Sequence, residues 1–92
     1  MVTWDEGKRK ANLRRHGLDF EGCEVVFDNP VITTEDARLA YGEQRIHLLG
    51  WLHEHVVHMT YTEREESLHV ISLRKATRHE TRTFFTIISG QP

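Results

Sequence analysis

Residues 43–74 read EQRIHLLGWLHEHVVHMTYTEREESLHVISLR, three apolar, β-branched and aromatic runs cut by short polar breaks. The runs are Glu43–Leu52, His55–Thr62 and Leu68–Arg74; the breaks are His53-Glu54 and Glu63-Arg64-Glu65-Glu66-Ser67. Breaks this short suit hairpins. Consecutive hairpins predict an antiparallel meander, because parallel neighbours need a longer crossover. The last run carries apolar residues at both parities, with Val70 beside Ile71 and Leu73 beside Ser72, which predicts cover on both faces of the sheet. Upstream, Val31-Ile32-Thr33-Thr34 adds a short β-branched run before a polar loop over about 35–42. The expected sheet therefore has four antiparallel strands.

Working outward, the amino-terminal third has a helical period. A first helix is predicted from about Trp4 to His16, with a Thr3/Glu6 capping box or Asp5 as its cap and Gly17 as its left-handed stop. Its apolar residues are few (Trp4, Ala11 and Leu13), so it is expected to lie on the surface, held by Trp4. A second, shorter helix is signalled by Asp19 as cap and by Phe20, Cys23, Val26 and Phe27, and Asn29-Pro30 ends it. At the other end, Thr77-Arg78-His79-Glu80 fits a capping box, and Thr81, Phe84, Phe85 and Ile88 form one stripe behind it. Two helices, four strands and a final helix make an α+β pattern.

Composition limits the rest. The 92 residues are expected to form one domain over 1–92, charged at 28% and hydrophobic at 38%, as in an ordinary soluble globule. No apolar run approaches a membrane span, and no secretory hydrophobic stretch opens the chain. The single Cys23 excludes an internal disulfide and a cysteine-based zinc cluster. A cytoplasmic protein is expected. The net charge of −2 conceals an uneven distribution: residues 1–18 sum to +3, 19–36 to −6, 37–66 to −2 and 67–92 to +3. If the basic ends meet in space they form a phosphate-attracting patch; if they do not, they are two solvated helix faces.

Several motifs in order resemble one family. Trp4-Asp5, Lys8, Asn12, Arg15-His16-Gly17 and Phe20 are similar to the opening of BrnT-type toxins. Phe27-Asp28-Asn29-Pro30, Gly42-Glu43-Gln44-Arg45, Tyr61-Thr62-Glu63-Arg64 and Val70-Ile71-Ser72-Leu73-Arg74-Lys75-Ala76-Thr77, followed by Glu80, match its later motifs. The resemblance implies a RelE-like fold, RNA cleavage, and neutralisation by a co-expressed antitoxin. That antitoxin carries a ribbon-helix-helix DNA-binding region and represses the shared operon, so DNA is met only through it. The expected complex is a heterotetramer. Three positions depart from many relatives: His69 stands in place of an arginine, Phe84 in place of a tyrosine and Leu73 in place of a small residue.

Cutting RNA without a metal uses the neighbouring 2′-hydroxyl as nucleophile. The protein must help remove its proton, stabilise charge on the phosphorane and see the leaving 5′-oxygen protonated. Arginine suits the second task, because its planar fork bonds two phosphate oxygens and stays charged. Arg45, Arg64 and Arg74 lie on or beside the hairpin-linked strands, which could bring them together; the alternative is solvated arginines or ion pairs to Glu43 and Glu63. His16 is the candidate acid or base, against a purely C-capping role. Lys8, Arg15, Lys75 and Arg78 are the expected RNA-backbone contacts, with solvated surface cations as the alternative. Glu80 is read as the capping-box residue or as the orienter of an active-site arginine. His53, His55, His47, His58 and His69 match no zinc spacing, so neither a metal nor another cofactor is expected. The expected function is a metal-independent endoribonuclease toxin that inhibits translation. The alternative is a non-catalytic module of the same fold that serves antitoxin binding and operon control, and the residues at 69 and 84 favour it.

Overall fold

A computed structural model describes residues 1–36, 38 and 42–90. The order of elements is strand β1 (Val2–Trp4), helix α1 (Glu6–His16), a 3₁₀ segment (Cys23–Asp28), strands β2 (Ile32–Asp36), β3 (Arg45–Leu52), β4 (His55–Arg64) and β5 (Ser67–Lys75), and helix α2 (Arg78–Ser89). The α+β class holds. The sheet, however, is five-stranded and mixed, in the order β1-β5-β4-β3-β2. β2 to β5 pair antiparallel, as the hairpins require, whereas β1 runs parallel to β5 through Val2↔Leu68, Thr3↔His69 and Trp4↔Val70.

β1 corrects the expected start of the first helix. Three residues are too few to show a period of two, and Trp4 joins the strand instead of the helix. Asp5 is the cap, accepting from the Lys8 N–H at 2.9 Å, so α1 begins at Glu6. Gly17 ends it at φ 72°, a conformation that costs glycine little. The expected second helix is only the 3₁₀ run. Asp19 does not cap it; its carboxylate accepts from the Glu21 N–H at 3.0 Å and takes the Arg9 guanidinium. Phe20, Cys23 and Val26 are buried, as their spacing predicts, while Phe27 is exposed. The polar loop expected over about 35–42 begins later, since Glu35 and Asp36 belong to β2, and most of the remainder lies outside the described residues. The break after β4 shrinks to Glu65-Glu66 because Arg64 and Ser67 pair.

One core lies under α1 and the 3₁₀ segment. It contains Phe20, Cys23 and Val26, Leu48 and Leu52 of β3, Val57, Met59 and Tyr61 of β4, and Val70 and Leu73 of β5. The even–odd switch between Val70 and Leu73 has a local cause. Thr60 pairs with Ser72 and Tyr61 with Val70, so Ile71 is an extra residue, a β-bulge that shifts the pleat by one. The two parities in β5 thus serve one core across a bulge.

Asn12 fixes α1 to this sheet. β1 covers the edge of β5 only as far as Val70, which leaves the backbone of Leu73 open. The Asn12 amide fills that place, donating to Leu73 O at 2.8 Å and accepting from Leu73 N at 3.1 Å, as a strand would; its Nδ2 also donates to Leu18 O at 2.9 Å. It is the buried residue of a helix with almost no apolar face.

Candidate active site

The face of the sheet away from that core is built from the alternate residues, and strand register lays them out in rows. Arg74 of β5 stands opposite His58 of β4, which stands opposite Leu49 of β3. In the next row Ser72, Thr60, His47 and Thr34 are aligned, and beyond it Thr62 pairs with His69 and Arg45 with Asp36. At the other end Trp51 closes the row beneath α2, meeting Phe84 edge-on with ring centroids 6.4 Å apart and Phe85 at 5.7 Å. One end of this face is therefore apolar and covered, and the middle is polar.

Arg74 is held in a fork. Its Nη1 donates to Glu80 Oε1 at 2.8 Å and its Nη2 to Oε2 at 3.0 Å, while Nη1 also donates to the Lys75 carbonyl at 3.2 Å. Five N–H groups are available on a guanidinium, so Nε–H and one Nη2–H remain for a ligand. Glu80 performs at once the two roles that sequence reading separated. It closes the capping box of α2, accepting from the Thr77 N–H at 2.9 Å, and it orients Arg74. The Arg74 hydrogen bonds hold its carboxyl down at about 2, so it stays ionised.

Behind Arg74 lies a second polar group, whose histidines fit no zinc spacing in the sequence. His47 is held at both nitrogens, Nε2 with Asp36 Oδ2 at 3.1 Å and Nδ1 with Thr60 Oγ1 at 3.1 Å. Arg38 and then His47 hold Asp36 well below the usual carboxylate range. His58 lies beside His47, ring centroids 5.2 Å apart, with a buried Nδ1 that has no hydrogen-bond partner. Burial, and next the Arg74 cation, push its imidazole below the ordinary value of 6.5. The sequence gives no sign that Asp36 and His58 belong to one group, because only the strand register joins them. Among the described residues no three His, Cys, Asp or Glu side chains are grouped so as to hold a metal ion.

The other expected residues are dispersed. Arg64 ends β4, six residues beyond His58 and so roughly 20 Å along the strand, and pairs with Glu43 at 3.2 Å. Arg45 opens β3 at the same end of the sheet, opposite Asp36. The hairpins therefore do not gather the three arginines. Lys8, Arg15 and His16 line a groove of about 210 Å³ between α1 and β5, together with Asn12, Ile71 and Ser72. Lys75 and Arg78 are exposed where β5 passes into α2. His69 bonds Thr3 Oγ1 through Nδ1 at 2.9 Å, fastening β1 to β5, and Phe84 is buried.

A family model described as the ribonuclease toxin, BrnT, of type II toxin–antitoxin systems matches residues 4–80, a span that takes in Lys8, His58, Arg74 and Glu80. No curated protein matches the chain.

Proposed function

The chain belongs to the BrnT family of ribonuclease toxins of type II toxin–antitoxin systems, and from that premise we propose that it cuts RNA without a metal, on the polar face of its sheet. The observation that carries this reading is the Arg74–Glu80 fork, a guanidinium held rigid with two N–H groups to spare. Such a group suits a phosphorane, where charge grows in the transition state and preorganised donors act most strongly. The 2′-hydroxyl next to the scissile phosphate is the nucleophile. Lys8, Arg15 and His16 of the α1–β5 groove guide the RNA backbone on one side, and Lys75 and Arg78 on the other. Arg45 and Arg64, at the distant end of the sheet, bind flanking phosphates rather than the reacting one.

The residues at 69 and 84, which favour a purely binding module on sequence, do not weaken the catalytic reading. Phe84 is packed in the interior beneath α2, and His69 is engaged with Thr3, so neither substitution takes a group away from Arg74. A type II toxin has a cognate antitoxin. We take that antitoxin to be a ribbon-helix-helix protein that forms a heterotetramer with the toxin and carries it to operator DNA. Cleaved RNA accounts for arrested translation, with the cytoplasm as the site of action. No helix among the described residues is long and apolar enough to cross a membrane.

Arg74 is the test. Arg74→Ala is expected to lower the rate of RNA cleavage by purified protein about 10²–10³-fold, the usual effect of losing one preorganised charge contact. Arg74→Lys restores only part of it, because an ammonium cannot reproduce the fork. Full activity in a folded Arg74→Ala protein would place the reaction elsewhere.

A further inference from the structure

We propose that His58 is the catalytic base of this site, taking the 2′-hydroxyl proton through Nε2. The inference rests on the reading that RNA is cut beside Arg74. Residues directly opposite in an antiparallel pair have Cβ atoms about 4.5–5.5 Å apart, and His58 is directly opposite Arg74. A phosphate bound by the spare N–H groups of Arg74 therefore brings its own ribose to the His58 ring.

The histidines of this face divide by what they already bond. His47 gives one nitrogen to Asp36 and the other to Thr60, and His69 gives Nδ1 to Thr3. Among the described residues no hydrogen bond joins the His58 ring to another side chain, and with Nδ1 buried a substrate is met through Nε2. An orphaned polar atom in a folded interior asks for an explanation beyond stability. The charged and titratable groups around the ring are His47 on β3, Arg74 on β5 and Glu80 on α2. Burial and the Arg74 cation outweigh Glu80, so the ring is neutral at pH 7 with a lone pair to offer. That is the protonation state a base needs.

The reaction balances with water as the sole further participant. His58 Nε2 takes the 2′-hydroxyl proton as the 2′-oxygen bonds phosphorus and the bond from phosphorus to the 5′-oxygen breaks. The 5′-oxygen takes a proton from water, and the hydroxide left behind recovers the proton from His58. One fragment ends in a 2′,3′-cyclic phosphate and the other in a 5′-hydroxyl, with nothing oxidised or reduced.

The test is the pH profile of kcat/KM on a short RNA for the wild type, His58→Gln and Arg74→Ala, beside an NMR titration of His58 in the wild type. The wild-type rate should rise through one inflection below pH 6.5 to a plateau, and the inflection should coincide with the titration of His58. His58→Gln should lower the plateau about 10²–10⁴-fold and abolish the inflection. Arg74→Ala should lower the plateau but keep the inflection, moved to higher pH, because a cation that depresses His58 is gone. A His58→Gln protein that keeps rate and inflection while Arg74→Ala is impaired would overturn the base and leave the site standing. Wild-type activity in both variants would remove the site as well. If His58→Gln does not fold, the titration decides: a His58 pKa away from the kinetic inflection overturns the assignment.

Discussion

Asn12 does in one side chain what a longer β1 would do with backbone. Its amide takes both the N–H and the C=O of Leu73 and one further carbonyl at Leu18, at the buried end of the α1–β5 groove. Removing it strands buried backbone groups at about 1–3 kcal/mol for each unsatisfied partner. With three such groups at the low end of that range, Asn12→Ala is expected to lower unfolding free energy by about 3–5 kcal/mol, read from urea denaturation, a large share of the roughly 5–15 kcal/mol of a typical domain. Asn12→Asp should be worse, since a carboxylate would face two carbonyl oxygens. The motif pointed to Asn12, but the helix period did not, because a buried amide looks like any polar position on an exposed helix. Arg74 was legible chiefly through the resemblance, since it stands within the motif Val70–Thr77 that the family shares. His58 and Asp36 were not, since neither has a neighbour in sequence that reveals its neighbour in space. Only the pairings His58↔Arg74 and Asp36↔Arg45 do so.

The 3₁₀ segment is held to the sheet by a close approach at β3. A Cβ built on Gly50 would lie 2.8 Å from Val26 Cγ2 and 2.9 Å from Val31 Cγ1, so the segment reaches its depth only because position 50 has no side chain. Valine is stiff at χ1 and cannot swing aside. Gly50→Ala should destabilise by about 1–3 kcal/mol through overpacking. A double-mutant cycle with Val26→Ala should show coupling, the second truncation costing less where the first has crowded it. Independent effects would mean the segment shifts freely over β3. The hairpins of β3, β4 and β5 and the start of α2 were readable, because two-residue periods and a capping box are local signals. β1 was not, being three residues paired across 66 positions of sequence. The bulge at Ile71 was visible only as mixed parity, which imitates a strand covered on both sides. The same pleat explains why the arginines separate: long hairpin strands put Arg45 and Arg64 at one end and Arg74 near the other.

Charge on the whole molecule follows its layers. Lys8 and Arg15 of α1 line the groove beside β5, and Arg74, Lys75 and Arg78 lie where that strand enters α2, so cations from both basic ends of the sequence flank one strand. Farther along α2, Phe85, Ile87 and Ile88 are exposed apolar side chains. The central claim is that this one face cuts RNA with protein groups alone. It is tested by incubating the purified protein with single-stranded RNA in excess EDTA and analysing the fragment ends. The account predicts cleavage undiminished by the chelator, with 2′,3′-cyclic phosphate and 5′-hydroxyl ends. Intact RNA in EDTA, with cutting restored only when a divalent cation is returned, would contradict it.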